Sequence, residues 1–269
     1  MNRRYVWSPR GPLLLPAQGE AGFLWVPQKG ILRVQDNLGN VGVSPPGTSV
    51  TTGASASTKG AVSQVFASTN FDAYWIKIVA TNYAASTVAS AGALDVLVGA
   101  ATEEVLIPDL LMGYCAGFTG ECPKQWEFPL YIPASSRIAI QAAGARVSTA
   151  LDVLIYLYGG DAMPPFRVGA SVTTYGMGTV PNGTAITPGE TGAEGAWTEI
   201  SASSSRDHFA LMPSFQVTSD TSMNSRVIHV DLGVGAATEE EVGRYVFVTN
   251  SSERVGGPSN SFPAFADVP

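Results

Sequence analysis

One heptapeptide occurs twice in this chain. Val98-Gly-Ala-Ala-Thr-Glu-Glu104 returns unchanged as Val234-Gly-Ala-Ala-Thr-Glu-Glu240, an offset of 136 residues. The flanks agree and keep their order. Gly47-Thr-Ser-Val-Thr-Thr-Gly53 matches Gly183-Thr-Ala-Ile-Thr-Pro-Gly189, and Phe71-Asp-Ala-Tyr74 matches Arg206-Asp-His-Phe209. Asp95 falls on Asp231, Phe128-Pro129 on Phe262-Pro263 and Ile132-Pro133 on Val268-Pro269, so the offset drifts only between 134 and 136. The chain is a duplication. A unit of this length is a whole domain, unlike the modules of about 20–50 residues that stack into solenoids and propellers.

The duplication divides the chain. Residues 1–43 have no counterpart and are expected to form an N-terminal docking arm; repeat 1 spans 44–160, a Pro- and Gly-rich linker 161–179, and repeat 2 180–269. Within the arm, residues 30–36 and 41–43 flank Asn37-Leu-Gly-Asn40, which reads as a β-hairpin with a tight turn. After Pro133, repeat 1 continues through two further strand-like stretches, Arg137–Ile140 and Leu151–Tyr158, that repeat 2 lacks before Pro269. The preferred reading is that the sequence is a fragment; the alternative is that a neighbouring chain supplies the strands.

Strand periodicity is clear within repeat 1. Tyr74, Ile76, Ile78 and Ala80 alternate with Trp75, Lys77 and Val79, and Leu94, Val96 and Val98 alternate with Asp95 and Leu97. Ile138 and Ile140 form an inward pair. Leu151, Val153, Ile155 and Leu157 oppose residues apolar enough for that strand to be covered on both faces. Adding 62–67, 104–107 and 127–132 gives seven or eight strands, separated by turn residues and with no capped helical pattern. The expected fold is all-β: two tandem β-sandwich domains of jelly-roll or immunoglobulin-like type.

Composition narrows function. Charged residues are 14%, against about 25% in average soluble domains. The net charge is -7, and only Arg3-Arg4 forms a dense basic spot, so a nucleic-acid partner is not expected. Leu13-Leu-Leu15 is broken by Pro12 and Pro16, too short for a signal peptide, and no apolar run approaches the roughly 18 residues of a membrane span. Cys115 and Cys122 have no nearby His, which leaves zinc unsupported; they read as thiols more readily than as a disulfide.

Chemistry-bearing residues are few. His208 lies beside Asp207 and His229 near Asp231, without a nucleophile turn; both read as surface or strand-edge residues. Glu103-Glu104 and Glu239-Glu240-Glu241 follow the repeated Gly-Ala-Ala-Thr in what reads as a solvated turn, and no Asp-x-Asp pattern accompanies them to hold calcium. Asp95 and Asp231 read as structural caps or pairs. Trp75, Trp126, Tyr156 and Tyr158 could stack on sugar rings but read first as packing. No catalytic, cofactor-binding or metal-ligating residue is assigned, and the chain is not expected to be an enzyme.

Taken together, Lys59-Gly60, Ala67-Ser-Thr-Asn-Phe-Asp-Ala-Tyr-Trp75, the repeated heptapeptide and Phe128-Pro-Leu-Tyr-Ile-Pro-Ala-Ser-Ser-Arg-Ile138 resemble a domain of uncharacterised tailed-bacteriophage structural proteins. The resemblance spans repeat 1 and repeat 2 to its end, and that family offers no catalytic residues to transfer. It implies a virion component, first a fibre- or spike-like appendage or its anchor, and second a capsid decoration protein. The implied partners are other virion proteins, met through residues 1–43, copies of the same chain with a trimer favoured, and a host-surface glycan. A carbohydrate-binding module is a reading from a different class.

Overall fold

The computed structural model describes residues 33–38, 47–81, 91–100, 102–113, 124–161, 164, 167–178, 183–190, 192–215, 226–235 and 240–249, and places strands at 5–8, 11–14, 260–261 and 264–268. Every regular element among them is a strand. In chain order these are β1 Tyr5–Ser8, β2 Gly11–Leu14, β3 Arg33–Asp36, β4 Thr48–Thr51, β5 Ser63–Phe66 and β6 Ala73–Thr81. They continue as β7 Ala91–Gly99, β8 Glu103–Gly113, β9 Lys124–Phe128, β10 Arg137–Gly144 and β11 Ala150–Gly159. The second repeat carries β12 His208–Leu211, β13 Arg226–Val234, β14 Glu240–Thr249, β15 Asn260–Ser261 and β16 Ala264–Val268.

Strands β4 to β11 form a sandwich whose topology follows from its pairings. The first of these eight strands pairs the last (β4·β11), the second the seventh (β5·β10), the third the sixth (β6·β9) and the fourth the fifth (β7·β8), all antiparallel. This is a two-stranded ribbon rolled so that β11 also meets β6 and β10 also meets β7. One sheet then runs β9-β6-β11-β4 and the other β5-β10-β7-β8. That nesting is a jelly roll, which resolves the two expected sandwich types.

The core lies between the sheets. Ile76 and Ile78 of β6, Leu94 and Val96 of β7, Ile138 and Ile140 of β10 and Leu151, Val153, Ile155 and Leu157 of β11 are all buried there. Each is the inward residue of a period-two alternation, and full burial of such a side chain is worth about 1.5–3 kcal/mol. On β11 the opposing Asp152 and Leu154 are buried too, while Tyr156 and Tyr158 on the same face are half-buried.

Two segments differ from the sequence expectation. Arg33–Asp36, expected in a hairpin outside the sandwich, is an edge strand of it: β3 pairs with Tyr156–Gly159 of β11, beside the stretch Ala150–Val153 that β4 occupies. The proposed hairpin partner at 41–43 lies outside the described residues. Asn37, expected in the tight turn, bridges the gap between β3 and β4. Its amide donates to Val153 O (2.9 Å) and Thr48 Oγ1 (3.0 Å), and its Oδ1 accepts Ile155 N–H (2.7 Å), so a side chain completes the ladder.

The second segment lies in the expected linker, where residues 167–178 dock on the sandwich. Val172 N–H donates to Leu106 O of β8, Thr174 Oγ1 donates to Pro108 O, and Gly169 exchanges backbone bonds with Pro129 and Tyr131 just after β9. The strap thus covers backbone groups on the edge strand β8 and on the stretch just after β9. At the other end of the chain, β15 pairs in parallel with Gln125–Trp126 of β9.

The second repeat reproduces the pairings of the first. Val98↔Glu104, Leu97↔Val105 and Val96↔Ile107 return as Val234↔Glu240, Gly233↔Glu241 and Leu232↔Gly243, with the same bulge at Leu106 and Val242. The bridge Ala73↔Ile132 returns as His208↔Val268, and Ile76↔Phe128 as Leu211↔Ala264. The register therefore equates Phe128 with Ala264, correcting the sequence match of Phe128-Pro129 to Phe262-Pro263.

Candidate functional site

The repeated heptapeptide spans the turn from β7 to β8, and its glycine has a steric reason. A Cβ on Gly99 would lie 1.9 Å from the carbonyl oxygen of Thr102, so the turn closes only without a side chain there. Glu103, expected to be solvated, is ion-paired: Arg137 Nε sits 2.7 Å from its Oε1, fixing the start of β10 to this turn. Glu104 and Glu240 point to solvent, while Ala101 and residues 236–239 lie outside the described residues.

Asp95 and Asp231 are the other repeated acids, and each takes a cation from a different place. Asp95 sits on β7 with only 1% exposure. Its carboxylate accepts the Lys59 ammonium and, at 2.8 Å, the backbone N–H of Asp109. Pro108 cannot donate to the ladder, and here β8 bulges: Leu94 pairs with Leu110 but Val96 with Ile107. Asp109 takes a left-handed φ of 54° in that bulge, and its carboxylate also meets Lys59 (3.2 Å). Burial works against the Lys59 charge, but the hydrogen bond and charge of Asp95, with those of Asp109, outweigh it and raise the ammonium pKa above 10.5.

In repeat 2 the proline position is Arg244 and this bulge is absent. The strand runs straight, so Arg244 lies directly opposite Asp231. Its Nε and Nη2 each approach an Asp231 carboxylate oxygen to 2.6 Å, and Nη2 also meets Glu194 at 3.3 Å. The Arg244 hydrogen bond holds the Asp231 carboxyl below its usual range. The acid kept at this position neutralises a cation in both repeats, so its work is to fix the β7·β8 and β13·β14 ladders.

His208 opens β12, and its Nε2 lies 2.9 Å from the Tyr175 hydroxyl, with the two rings edge to face at 5.5 Å. Ser205 N–H donates to the same hydroxyl (3.1 Å) and Ser205 Oγ lies 3.4 Å from it. Those Ser205 contacts, side chain first and backbone second, lower the Tyr175 pKa. A nucleophile and base need their own short hydrogen bond, and Ser205 Oγ contacts the tyrosine instead of the histidine. The cluster ties the strap to the second repeat. Sequence reasoning missed it because Tyr175 and His208 are 33 residues apart with no motif between them. His229 is exposed opposite Val246.

The aromatic candidates separate by face. Trp126 is core, at 3% exposure. Tyr158 sits beside Trp75, and Tyr156 beside Lys77, on the outward face of the sheet, half-buried. Trp75 Nε1 donates to Glu127 Oε2 (3.0 Å), and Lys77 pairs with Glu127 at 3.4 Å. Burial, with Glu127, Tyr156 and Asp36 nearby, raises the Tyr158 pKa. Trp197 is the more exposed indole, at 55%. Cys115 and Cys122 lie outside the described residues. Among the described residues no group of three or more His, Cys, Asp or Glu could hold a metal ion, and no helix is long and apolar enough to cross a membrane.

These features define a class: an all-β sandwich protein whose repeated polar residues serve the framework. Comparison with protein-family models, curated proteins and solved structures finds no match to this chain.

Proposed function

We propose that this chain is a non-catalytic structural component of a tailed-bacteriophage virion, most simply a fibre- or spike-like appendage or its anchor. One observation carries the reading. What the duplication keeps, among the described residues, is the antiparallel ladder shared by β7·β8 and β13·β14 together with the turn glycine and the carboxylates that fix it, and among those residues no group of three or more His, Cys, Asp or Glu could hold a metal ion. Tandem rigid sandwiches with little charge suit tight packing between subunits. The N-terminal segment ahead of β3, with the β1·β2 hairpin, is the part proposed to meet other virion proteins, and the chain is proposed to assemble as a trimer.

A second reading, a carbohydrate-binding module, draws support from Trp75, Tyr156 and Tyr158 on one outward sheet face and from exposed Trp197. Mass photometry of the purified chain, combined with a glycan array, separates the two. A stable trimer without glycan binding favours the anchor. A trimer that binds glycans favours a receptor-binding appendage. A monomer that binds glycans, and loses them on Trp197→Ala or Trp75→Ala, replaces the virion reading with the lectin.

A further inference from the structure

Residues 167–178, expected as a linker, touch both repeats, and their contacts alternate as side chains do along an extended chain. The even residues meet repeat 1. Val172 packs against the core cluster of the sandwich and its N–H donates to Leu106 O at 3.0 Å, while Thr174 Oγ1 donates to Pro108 O at 2.6 Å. The odd residues meet repeat 2. Ser171 Oγ accepts from Arg206 Nη1 at 2.9 Å, and the Tyr175 hydroxyl meets His208 and Ser205. Gly169 lies where the two repeats close on the strap: a Cβ there would be 3.2 Å from Leu130 Cδ2 and 3.4 Å from the Phe209 ring. Gly176 has a left-handed φ of 77°, and its carbonyl accepts from Thr184 Oγ1 at 3.0 Å. Met212, one residue beyond β12, packs against the same repeat 1 core as Val172.

We propose that this strap is a two-faced brace: it couples the repeats into one cooperative unit, so that neither loosens without the other. The partition of its contacts carries the inference. A linker that only spanned the gap would need no hydrogen bonds to either side, whereas this one bonds to one repeat from its even residues and to the other from its odd residues. Val172 and Met212 reach the repeat 1 cluster from the strap and from repeat 2. Opening the strap therefore uncovers apolar surface on repeat 1 and breaks the Tyr175 contacts to repeat 2 in the same event. Local openings run through contiguous elements that share packing and hydrogen bonds. Gly169 follows from the same geometry, since a Cβ would already press on Leu130 and a larger side chain would part it from Phe209. Such a brace gives tandem repeats a fixed orientation, which suits an appendage; only that use rests on the virion reading.

The test uses the whole chain, with hydrogen exchange read by mass spectrometry. In the wild type the Gly169 and Val172 amides, which donate to Pro129 O and Leu106 O, should be protected as the strands they join are. Thr174→Val keeps the shape of the side chain and removes the bond to repeat 1. It should speed exchange in the strap and also at 208–211 in repeat 2, by about two- to tenfold. Tyr175→Phe removes the hydroxyl that faces repeat 2 and should speed exchange at Val172, on the repeat 1 side, by about the same factor. Exchange of Gly169 and Val172 at the rate of a free peptide in the wild type overturns the brace. So do effects that stay on the side of the substitution, with 208–211 unchanged in Thr174→Val or Val172 unchanged in Tyr175→Phe, because the strap would then dock on each repeat separately. Each outcome is independent of whether the chain is found in a virion.

Discussion

Removing the buried carboxylate of repeat 1 should cost more than removing its half-buried equivalent in repeat 2. Asp95→Ala leaves the Asp109 N–H in the bulge without its acceptor and strips Lys59 of its closest anion. A hydrogen bond to a charged group is worth about 1.5–3 kcal/mol, and breaking a fully buried pair costs about 3–5 kcal/mol. The Lys59 side chain keeps 34% exposure and retains Asp109 as a partner, so the loss falls near the lower range, about 2–3 kcal/mol. At roughly 2–4 °C per kcal/mol for a chain of this size, the melting temperature should drop by about 5–10 °C. Asp231→Ala removes a bidentate pair whose arginine is half exposed and should lower the melting temperature by clearly less. Thermal unfolding followed by circular dichroism compares the two. Because Lys59 has a folded pKa raised above 10.5, the pair contributes in full below that pH and its contribution fades as pH rises through the raised value. The gap between wild type and Asp95→Ala should therefore narrow only in strong alkali. Equal melting temperatures for the two variants, or a gap that closes near neutrality, would show that the Asp95 carboxylate does not hold the bulge through Lys59 and Asp109.

Further expectations concern single contacts. Asn37→Ala should cost about 1–3 kcal/mol, measured by urea unfolding, because Ile155 N–H and Val153 C=O lose a partner where β3 and β4 meet β11. Gly99→Ala should destabilise by about 1–3 kcal/mol through the clash with the Thr102 carbonyl, and Gly99→Ser should be no better. Ile140→Ala in the closed core should cost about 2–5 kcal/mol, and Leu232→Ala in the half-covered second repeat clearly less, in the same unfolding assay. The Asp231 carboxyl should titrate below 3.8 by NMR and return to the usual range in Arg244→Ala. Its contribution is present above 3.8 and is lost as pH falls through the lowered value.

The sandwich was legible because burial and period-two alternation coincide. Ile76 and Ile78, Leu94 and Val96, Ile138 and Ile140, and the four inward residues of β11 are buried as their spacing implies. The choice of jelly roll was not legible, since alternation says which face is inward and nothing about which strand lies beside it. Pro108 is visible in the sequence, but the bulge around it depends on a carboxylate 13 residues earlier and a lysine from another loop. Asn37 misled for a related reason. Its turn-forming chemistry is local, while its partners, Thr48, Val153 and Ile155, are supplied by other strands. Residues 167–178 read as linker because Gly and Pro signal a chain without regular structure, and such a chain can still hydrogen-bond to a sheet edge.

Assembly of this chain into a phage particle is the proposal on which the functional reading turns. Quantitative mass spectrometry of purified virions, with imaging to place the chain, tests it most directly. The expected result is a few copies per particle, in a small multiple of three, confined to tail or neck. Hundreds of copies across the shell would replace the appendage with decoration, and absence from the particle would contradict the claim itself.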